Sequence, residues 1–184
     1  MMPVGYNVEK AAQVIAFLVN EQGGAADMIK TVKLAYMADR RFLDLYDQPI
    51  LNDDLYCLDH GPVDSTTLNY IKGEGSPDAL KIWQEYLTSV GEDYTFRTTS
   101  KDLYFGELNE AEETVLKEVV AEFKNMKPFE LVQWIHDNCP EWKNPRGGSI
   151  LLPYREIFKA LGKKHAEKSE KYVDRNRRLI EATR

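Results

Sequence analysis

Four residues in two short segments have the spacing of a metal site. Cys57 and His60 stand three residues apart, as do His136 and Cys139, and a Cys₂His₂ set suits tetrahedral zinc. The second pair falls at a predicted helix end beside Pro140, which weighs against zinc. Two cysteines also form no disulfide framework. We therefore expect two ordinary buried cysteines, and neither a metal nor a cofactor.

The most distinctive motif is the turn His60-Gly61-Pro62-Val63. Gly61 permits a sharp turn, and Pro62 fixes its own φ while steering Gly61 away from helical geometry. Two interpretations fit this motif. One is a structural turn between a strand and a helix, which we favour because a Gly-Pro turn is chiefly a backbone device. The other is a partner-contacting turn with His60 at its tip.

Asp39 places a carboxylate on an apolar helical stripe, between Ala35 and Phe42. An unpaired buried carboxylate is costly, so this side chain requires a partner. Arg40 points about 100° away around the helix, which leaves His60 or a backbone N–H. An Asp–His pair can serve as a general base. No nucleophile motif accompanies it, so we predict a structural polar contact and no catalytic residue.

Aromatic residues gather around the loop 138–149: Phe129, Trp134, Trp142 and Tyr154. Trp and Tyr often anchor protein interfaces, and they fill cores equally well. The loop also contains Arg146-Gly147-Gly148-Ser149, which lacks the spacing and the lysine of a phosphate-binding P-loop. The chain likewise shows none of the common hydrolase, zinc-protease or dinucleotide motifs. We expect a binding protein and not an enzyme.

The elements that position these residues are mostly helices. Apolar residues at three- and four-residue steps predict a mainly α fold of about seven helices, with a small β-hairpin or sheet and a C-terminal helical extension. The hairpin is predicted from Tyr94–Thr98 and Leu103–Phe105. The last helix is predicted to begin at Pro153, and it can extend through Gly162 into the C-terminal segment. We predict one compact domain over 1–161 and a charged C-terminal helix over 162–184.

Composition narrows the class of partner. Apolar residues make up 43% of the 184-residue chain and charged residues 29%, as in ordinary globular domains. No apolar run approaches the length of a membrane helix, and no secretory signal is visible, so we expect a cytoplasmic protein without a membrane partner. Residues 1–161 carry a net charge of −10 and residues 162–184 a net charge of +4. An acidic body repels nucleic acid, which we do not expect as a partner.

The C-terminal segment has a narrow apolar seam on a charged helix. Two columns repeat every seven residues: Ala166, Val173 and Ile180, and His165, Tyr172 and Leu179. The seam can dock on its own domain, on a partner protein or on a second copy of the chain. Its basic surplus is interspersed with four acidic residues, which makes nucleic-acid binding a minor alternative.

The motifs follow one another in an order that resembles the Panacea (SocA-like) antitoxin domain. The resemblance rests on the segment Lys33-Leu34-Ala35-Tyr36-Met37-Ala38-Asp39, on the turn at His60, and on the later segment LVQWIHDNCPEW. It extends over roughly residues 8–160, and Ile135 replaces the family's more usual small polar residue. The family pattern has the histidines but does not require the two cysteines.

The resemblance implies an antitoxin that binds and neutralises a protein toxin encoded beside it, within a toxin–antitoxin system of the kind associated with phage defence. One related member is instead an adaptor that delivers its toxin to a protease. Carried onto this chain, the toxin-binding or signature residues are Tyr36, Asp39, Arg40, His60, Gly61, Pro62, Val63, His136 and Trp142. A metal- or His/Asp-dependent enzyme is the alternative of another class.

Overall fold

Helix α2 (Met28–Tyr46) lies at the centre of the fold. The computed structural model describes residues 2–183; Met1 and Arg184, the outer ends of the two predicted segments, lie outside them. Within residues 2–183 the other helices are α1 (Val8–Glu21), α3 (Ser65–Ile71), α4 (Pro77–Tyr86), α5 (Glu110–Glu122), α6 (Pro128–Asn138), α7 (Tyr154–Ala160) and α8 (Ala166–Ala182). The strands are β1 (Ala25–Asp27), β2 (Leu55–Leu58), β3 (Gly61–Asp64), β4 (Thr95–Arg97) and β5 (Ile150–Leu151). The prediction of a mainly α fold is confirmed.

Helix starts follow the local signals of the sequence. Asn7 accepts hydrogen bonds from the backbone N–H groups of the first turn of α1, and Ser76 caps α4 in the same way. Asn109 and Glu112 form a complete capping box at the start of α5. These contacts satisfy N–H groups that have no partner within the helix. They fix where each helix begins, and so which face it turns to the core.

The core forms around α2 because apolar residues cover a broad part of the surface of this helix. Residues 31–39 are all buried. Helices α1, α5 and α6 and strand β3 pack against it. A helix covered on all sides cannot offer a broad surface to a partner, so its polar side chains must be satisfied inside the protein. Within residues 2–183, no helix is long and apolar enough to cross a membrane.

The strands form two small antiparallel sheets, and the predicted hairpin is wrong. Strand β4 pairs with β1, with Phe96 opposite Ala26, and not with Leu103–Phe105. Phe105 instead places its ring 5.2 Å from the ring of Phe17 on α1. Strand-forming residue types indicate an extended backbone but not its partner, which here lies about seventy residues away in sequence. The second sheet has the order β3-β2-β5.

The C-terminal region contains two separate helices, whereas the sequence was compatible with one continuous helix through Gly162. Gly162 adopts φ +74°, which ends α7, and α8 starts four residues later. This break is why there are eight helices in residues 2–183 and not seven. Helix α8 packs on α7; Ala166 and Val173 are buried, whereas Tyr172 and Leu179 are about half exposed. One column of the predicted seam therefore docks on the chain's own domain.

Candidate functional site

A β-hairpin presents the motif at His60 to the surface. Strands β2 and β3 pair from Leu55 opposite Asp64 to Leu58 opposite Gly61, with Asp59 and His60 at the turn. Gly61 has φ +101°, and a Cβ there would lie 3.4 Å from Lys33 Nζ. The dihedral angle favours glycine, whereas the contact is an ordinary van der Waals distance. His60 is exposed, and its ring centroid lies 5.5 Å from that of the half-exposed Phe129 at the start of α6.

Trp142 and His136 fasten the hairpin to α6. Their rings stack with centroids 3.7 Å apart and planes 12° apart, and Trp142 Nε1 donates to the Leu58 carbonyl at 2.9 Å. Burial lowers the pKa of His136, and the nearby charges of Lys33 and His60 lower it further. We call Asp59, His60, Phe129, His136 and Trp142 the hairpin-tip surface; the first three are exposed, and the last two are partly covered. It combines aromatic rings with ionisable groups over a rigid turn.

The loop after Trp142 wraps around the same turn. The Gly147 N–H donates to Asp59 Oδ1 at 2.9 Å, and β5 then joins the edge of β2. A carboxylate thus accepts the hydrogen bond that a bound phosphate would need. The Arg146-Gly147-Gly148-Ser149 segment is a loop that holds the hairpin, and its geometry does not favour phosphate binding.

Lys33 supports the turn from below. Its side chain is buried, and Nζ donates to the Pro62 carbonyl at 2.8 Å. Burial lowers the pKa of Lys33 to about 7, and the Asp64 carboxyl opposes this shift. Lys33 stands six residues before Asp39 in the signature segment, yet the sequence alone did not suggest a role for it. A lysine within an apolar stripe was the signal that could have identified it.

Asp39 binds the backbone, so its predicted partnership with His60 is wrong and the alternative, a backbone N–H, is confirmed. Oδ1 accepts from the N–H groups of Ile50 at 2.8 Å and Leu51 at 3.1 Å. His60 is turned outward to Phe129, because the hairpin places it at the tip and not over α2. Asp39 consequently holds the chain segment that leads from α2 into the hairpin.

A second buried acid, Asp64, lies beside Asp39. The two carboxyl groups interact directly, and burial raises the pKa of each. Among the described residues, Asp39 Oδ2 and both oxygens of Asp64 find no donor. These three oxygens lack a donor and two adjacent carboxylates repel each other, so the pair is most stable when it shares a proton. Sequence reasoning missed Asp64, which directly follows Val63.

A third acid, Asp53, is satisfied by the start of α3. It accepts hydrogen bonds from the N–H groups of Thr66 and Thr67 and from the Thr67 hydroxyl, at 2.8–3.0 Å. The Tyr154 hydroxyl donates to the Asp53 carbonyl at 2.7 Å. Burial raises the pKa of Asp53, and these hydrogen bonds oppose the shift. The acids below the hairpin therefore join α2, β3, α3 and α7 into one polar core.

Arg40 pairs with Glu141, a residue that sequence reasoning did not single out. Arg40 Nε lies 2.6 Å from Glu141 Oε1, and the Tyr36 hydroxyl donates to the same oxygen at 2.5 Å. The Glu141 side chain is fully buried. This acid follows Pro140 immediately and precedes Trp142, so the network holds the start of the wrapping loop against α2.

The predicted site residues separate into a buried group and an exposed group. Tyr36, Asp39, Gly61, Pro62 and Val63 are buried, and His60 is exposed. Arg40, His136 and Trp142 are partly covered. The buried residues support the hairpin, and direct contact with a partner is available to the others.

The predicted aromatic patch is not continuous. Trp134 packs its ring against Phe123 of α5, with centroids 4.8 Å apart. Tyr154 is buried beside Asp53. Only Phe129 and Trp142 belong to the hairpin-tip surface, because residues close in sequence lie on opposite faces of α6 and of the loop that follows.

The four residues of the zinc alternative have different environments. Cys57 and Cys139 are buried, and burial raises the pKa of Cys139 to about 12, which disfavours the thiolate that binds metals. Among residues 2–183, no group of three or more His, Cys, Asp or Glu side chains is arranged to hold a metal ion.

Comparison with known proteins gives one match. The family model described as "Antitoxin SocA-like, Panacea domain" matches residues 32–143, more than half of the chain. The matched segment runs from α2 through the hairpin to Lys143, just after Trp142, and so contains the whole hairpin-tip surface. No curated protein and no solved structure matched the chain. The chain belongs to the SocA-like Panacea antitoxin family.

Proposed function

We propose that this protein is the antitoxin of a toxin–antitoxin pair and neutralises a cognate protein toxin by binding it through the hairpin-tip surface. The observation that carries the proposal is the exposure of His60 and Phe129 side by side at the turn that the family motif specifies. Exposed aromatic rings on a rigid support are typical of interface anchors, because little conformational entropy is lost on binding.

The buried groups support this function indirectly. Lys33 holds the turn, Asp39 holds the segment before it, and Glu141 holds the loop that wraps around it. A surface fixed by so many internal contacts is preorganised for a partner. Binding alone then blocks the toxin, and the antitoxin carries out no reaction of its own.

Co-expression with the product of the neighbouring gene tests the proposal. We expect that product to arrest growth when expressed alone, and to co-purify with this protein when growth is restored. His60→Ala/Phe129→Ala should weaken the complex about thirtyfold or more, because truncating an interface anchor costs about 2 kcal/mol or more. His165→Ala/Leu45→Ala is the matched control, because His165 is exposed and Leu45 matches Phe129 in exposure.

Three results would contradict direct neutralisation at this surface: a harmless neighbour, rescue of growth without a complex, or equal binding by the test and control variants. Toxin half-life separates sequestration from the adaptor alternative. A sequestering antitoxin leaves the half-life unchanged or lengthens it, whereas an adaptor shortens it by delivering the toxin to a protease.

A further inference from the structure

Helix α8 sorts its charges onto two sides, although they are interspersed in the sequence. Glu170 turns inward to Arg155, at 3.0 Å, and Glu181 accepts from the Gly5 N–H at 3.0 Å. Asp174 is half-buried and lies between the N-terminal arm (residues 2–7) and the cations Lys171, Arg175 and Arg178. Two of the four acids of α8 are thus directed to the chain's own domain, Asp174 lies at the boundary between the two sides, and Glu167 is on the exposed side.

The outer side of α8 carries four exposed cations, Lys168, Lys171, Arg175 and Arg178. Their three- and four-residue spacing aligns them along one helical stripe, which we call the basic stripe. Among residues 2–183, no acidic side chain forms an ion pair with any of them; the ion pairs of this region use Arg155, Lys159 and Arg177 instead. The half-exposed rings and methyl groups of Tyr172 and Leu179 flank the stripe.

The chain also has an acidic surface of complementary character. Glu9, Glu107 and Glu110 are exposed where α1 and α5 begin, and we call them the acidic patch. Tyr104 is 84% exposed, and its ring covers Gly106, next to Glu107. Lys10 does not neutralise the patch, because its ammonium group pairs with the buried Glu112 at 2.6 Å.

The N-terminal arm brings the stripe and the patch to the same end of the molecule. Glu181, at the end of α8, binds the Gly5 N–H. Two residues further, the Asn7 amide donates to Glu107 Oε2 at 3.0 Å. A surface with adjoining basic and acidic halves is self-complementary under a two-fold rotation, which is the commonest symmetry of protein dimers.

We propose that this end of the molecule is a docking surface for a second copy of the same chain, in which the basic stripe of each protomer contacts the acidic patch of the other. Tyr172 and Leu179 then pack near Tyr104 at the centre of each contact. A second copy fits better than nucleic acid, because a long polyanion on the stripe would run alongside a body of net charge −10. The proposal does not depend on the identity of the toxin.

Sedimentation velocity over a concentration series, at 50 mM and 500 mM salt, tests the proposal. We expect a monomer–dimer equilibrium that shifts toward monomer at high salt, since exposed charges are screened. Lys171→Glu/Arg175→Glu should abolish the dimer, and so should Glu9→Lys/Glu107→Lys. Mixing these two variants should restore a heterodimer, because both contacts become complementary again. Lys72→Glu/Lys124→Glu, which reverses two exposed cations outside the stripe, should leave the dimer unchanged.

A wild-type protein that is monomeric at all concentrations in low salt would overturn the proposal. A dimer that survives the stripe variant, or a mixture of the two variants that stays monomeric while each remains folded by circular dichroism, would do the same. Fluorescence anisotropy with a labelled 20-nucleotide DNA or RNA addresses the competing ligand. Tight binding that is lost with Lys171→Glu/Arg175→Glu, without self-association, would assign the stripe to nucleic acid.

Discussion

Single polar residues fix the hairpin-tip surface from within, and the strongest example is the contact of Arg40 with Glu141. The acid is fully buried and Arg40 is largely covered. Arg40→Ala therefore leaves a buried carboxylate with only Tyr36 as a donor, and we expect a loss of about 3–5 kcal/mol in the free energy of unfolding. Urea unfolding followed by tryptophan fluorescence measures the loss.

Arg41→Ala is the matched control for that prediction. Arg41 is the next residue, and it pairs with Glu118 and Glu122, which are about half exposed. Exposed pairs contribute about 0–1 kcal/mol. Equal losses for the two variants would show that the Arg40–Glu141 pair does not hold the loop as argued.

The pair of buried acids, Asp39 and Asp64, predicts that stability decreases as pH rises. Burial raises the pKa of both carboxyl groups, that of Asp39 to about 7, whereas an unfolded Asp has a pKa of about 4. Between these values the folded state binds more protons than the unfolded state, so the free energy of unfolding falls as pH rises from 4 through 7. Urea unfolding at half-unit pH intervals checks the slope.

Asp64→Asn tests the origin of that slope. The amide can donate to Asp39, and the repulsion between the two carboxylates disappears, so the pH dependence in this window should become shallower. If the slope is unchanged in Asp64→Asn, other groups cause it. If wild-type stability rises across the window, the shared proton is excluded.

The partner of a buried charged residue becomes harder to predict from the sequence as the separation between the two residues along the chain increases. The apolar stripe around Asp39 showed that it needed a partner, and the backbone N–H groups that satisfy it lie 11 and 12 residues away. Arg40 binds Glu141, 101 residues away, in a segment where no sequence signal marked a buried acid. The sequence around a buried charged side chain shows that it needs a hydrogen-bond or ion-pair partner. Which group becomes that partner depends on the fold.

At the scale of elements, the N-terminal arm and α8 meet at Gly5. The residue has φ +77°, and a Cβ there would lie 2.8 Å from the Arg177 carbonyl oxygen. Gly5→Ala should destabilise the protein and increase hydrogen exchange in α8, because both the dihedral angle and the contact oppose it. Hydrogen exchange of the α8 amides, read by mass spectrometry, measures the effect.

Gly73→Ala separates the two causes. Gly73 has φ +78°, and a Cβ there would meet nothing within 4 Å. It therefore reports the dihedral cost alone, of order 1 kcal/mol. We expect Gly5→Ala to cost more than Gly73→Ala and to act on α8. Equal costs, with α8 unaffected, would mean that the arm does not clasp the helix.

Helix starts can be predicted from the sequence better than strand pairing can, because the capping residues lie close in sequence whereas strand partners do not. The caps at Asn7, Ser76 and Asn109 bind N–H groups two or three residues away, so the start of each of these helices is predictable from neighbouring residues. The pairing of β4 with β1 is not, because extended segments gain partners only through the tertiary fold. At the candidate site, the turn at His60 was recognised from its own residues, and its supporting contacts to Lys33 and Trp142 were not.

At the scale of the whole molecule, the question is whether 1–161 and 162–184 are separate units, as the charge contrast suggested. Helix α8 has no core of its own: Val173 is fully buried against the domain. Arg177 donates to the Val4 carbonyl and to Asp54, both at 2.9 Å, and its guanidinium lies 5.7 Å from the centre of the Tyr154 ring. The Arg177 side chain thus joins α8 to three other parts of the chain: the N-terminal arm, the segment that precedes β2, and helix α7.

We therefore predict that α8 unfolds together with the rest of the protein. Tryptophan fluorescence reports on the body, since Trp83, Trp134 and Trp142 all lie there, and hydrogen exchange reports on α8; both should give the same free energy of unfolding. Arg177→Ala should lower the value for α8 by about 1.5–3 kcal/mol, the contribution of hydrogen bonds to a charged group. Rapid exchange throughout α8 in the wild-type protein, while the body stays protected, would instead make residues 162–184 an independent appendage whose charge is available to any partner.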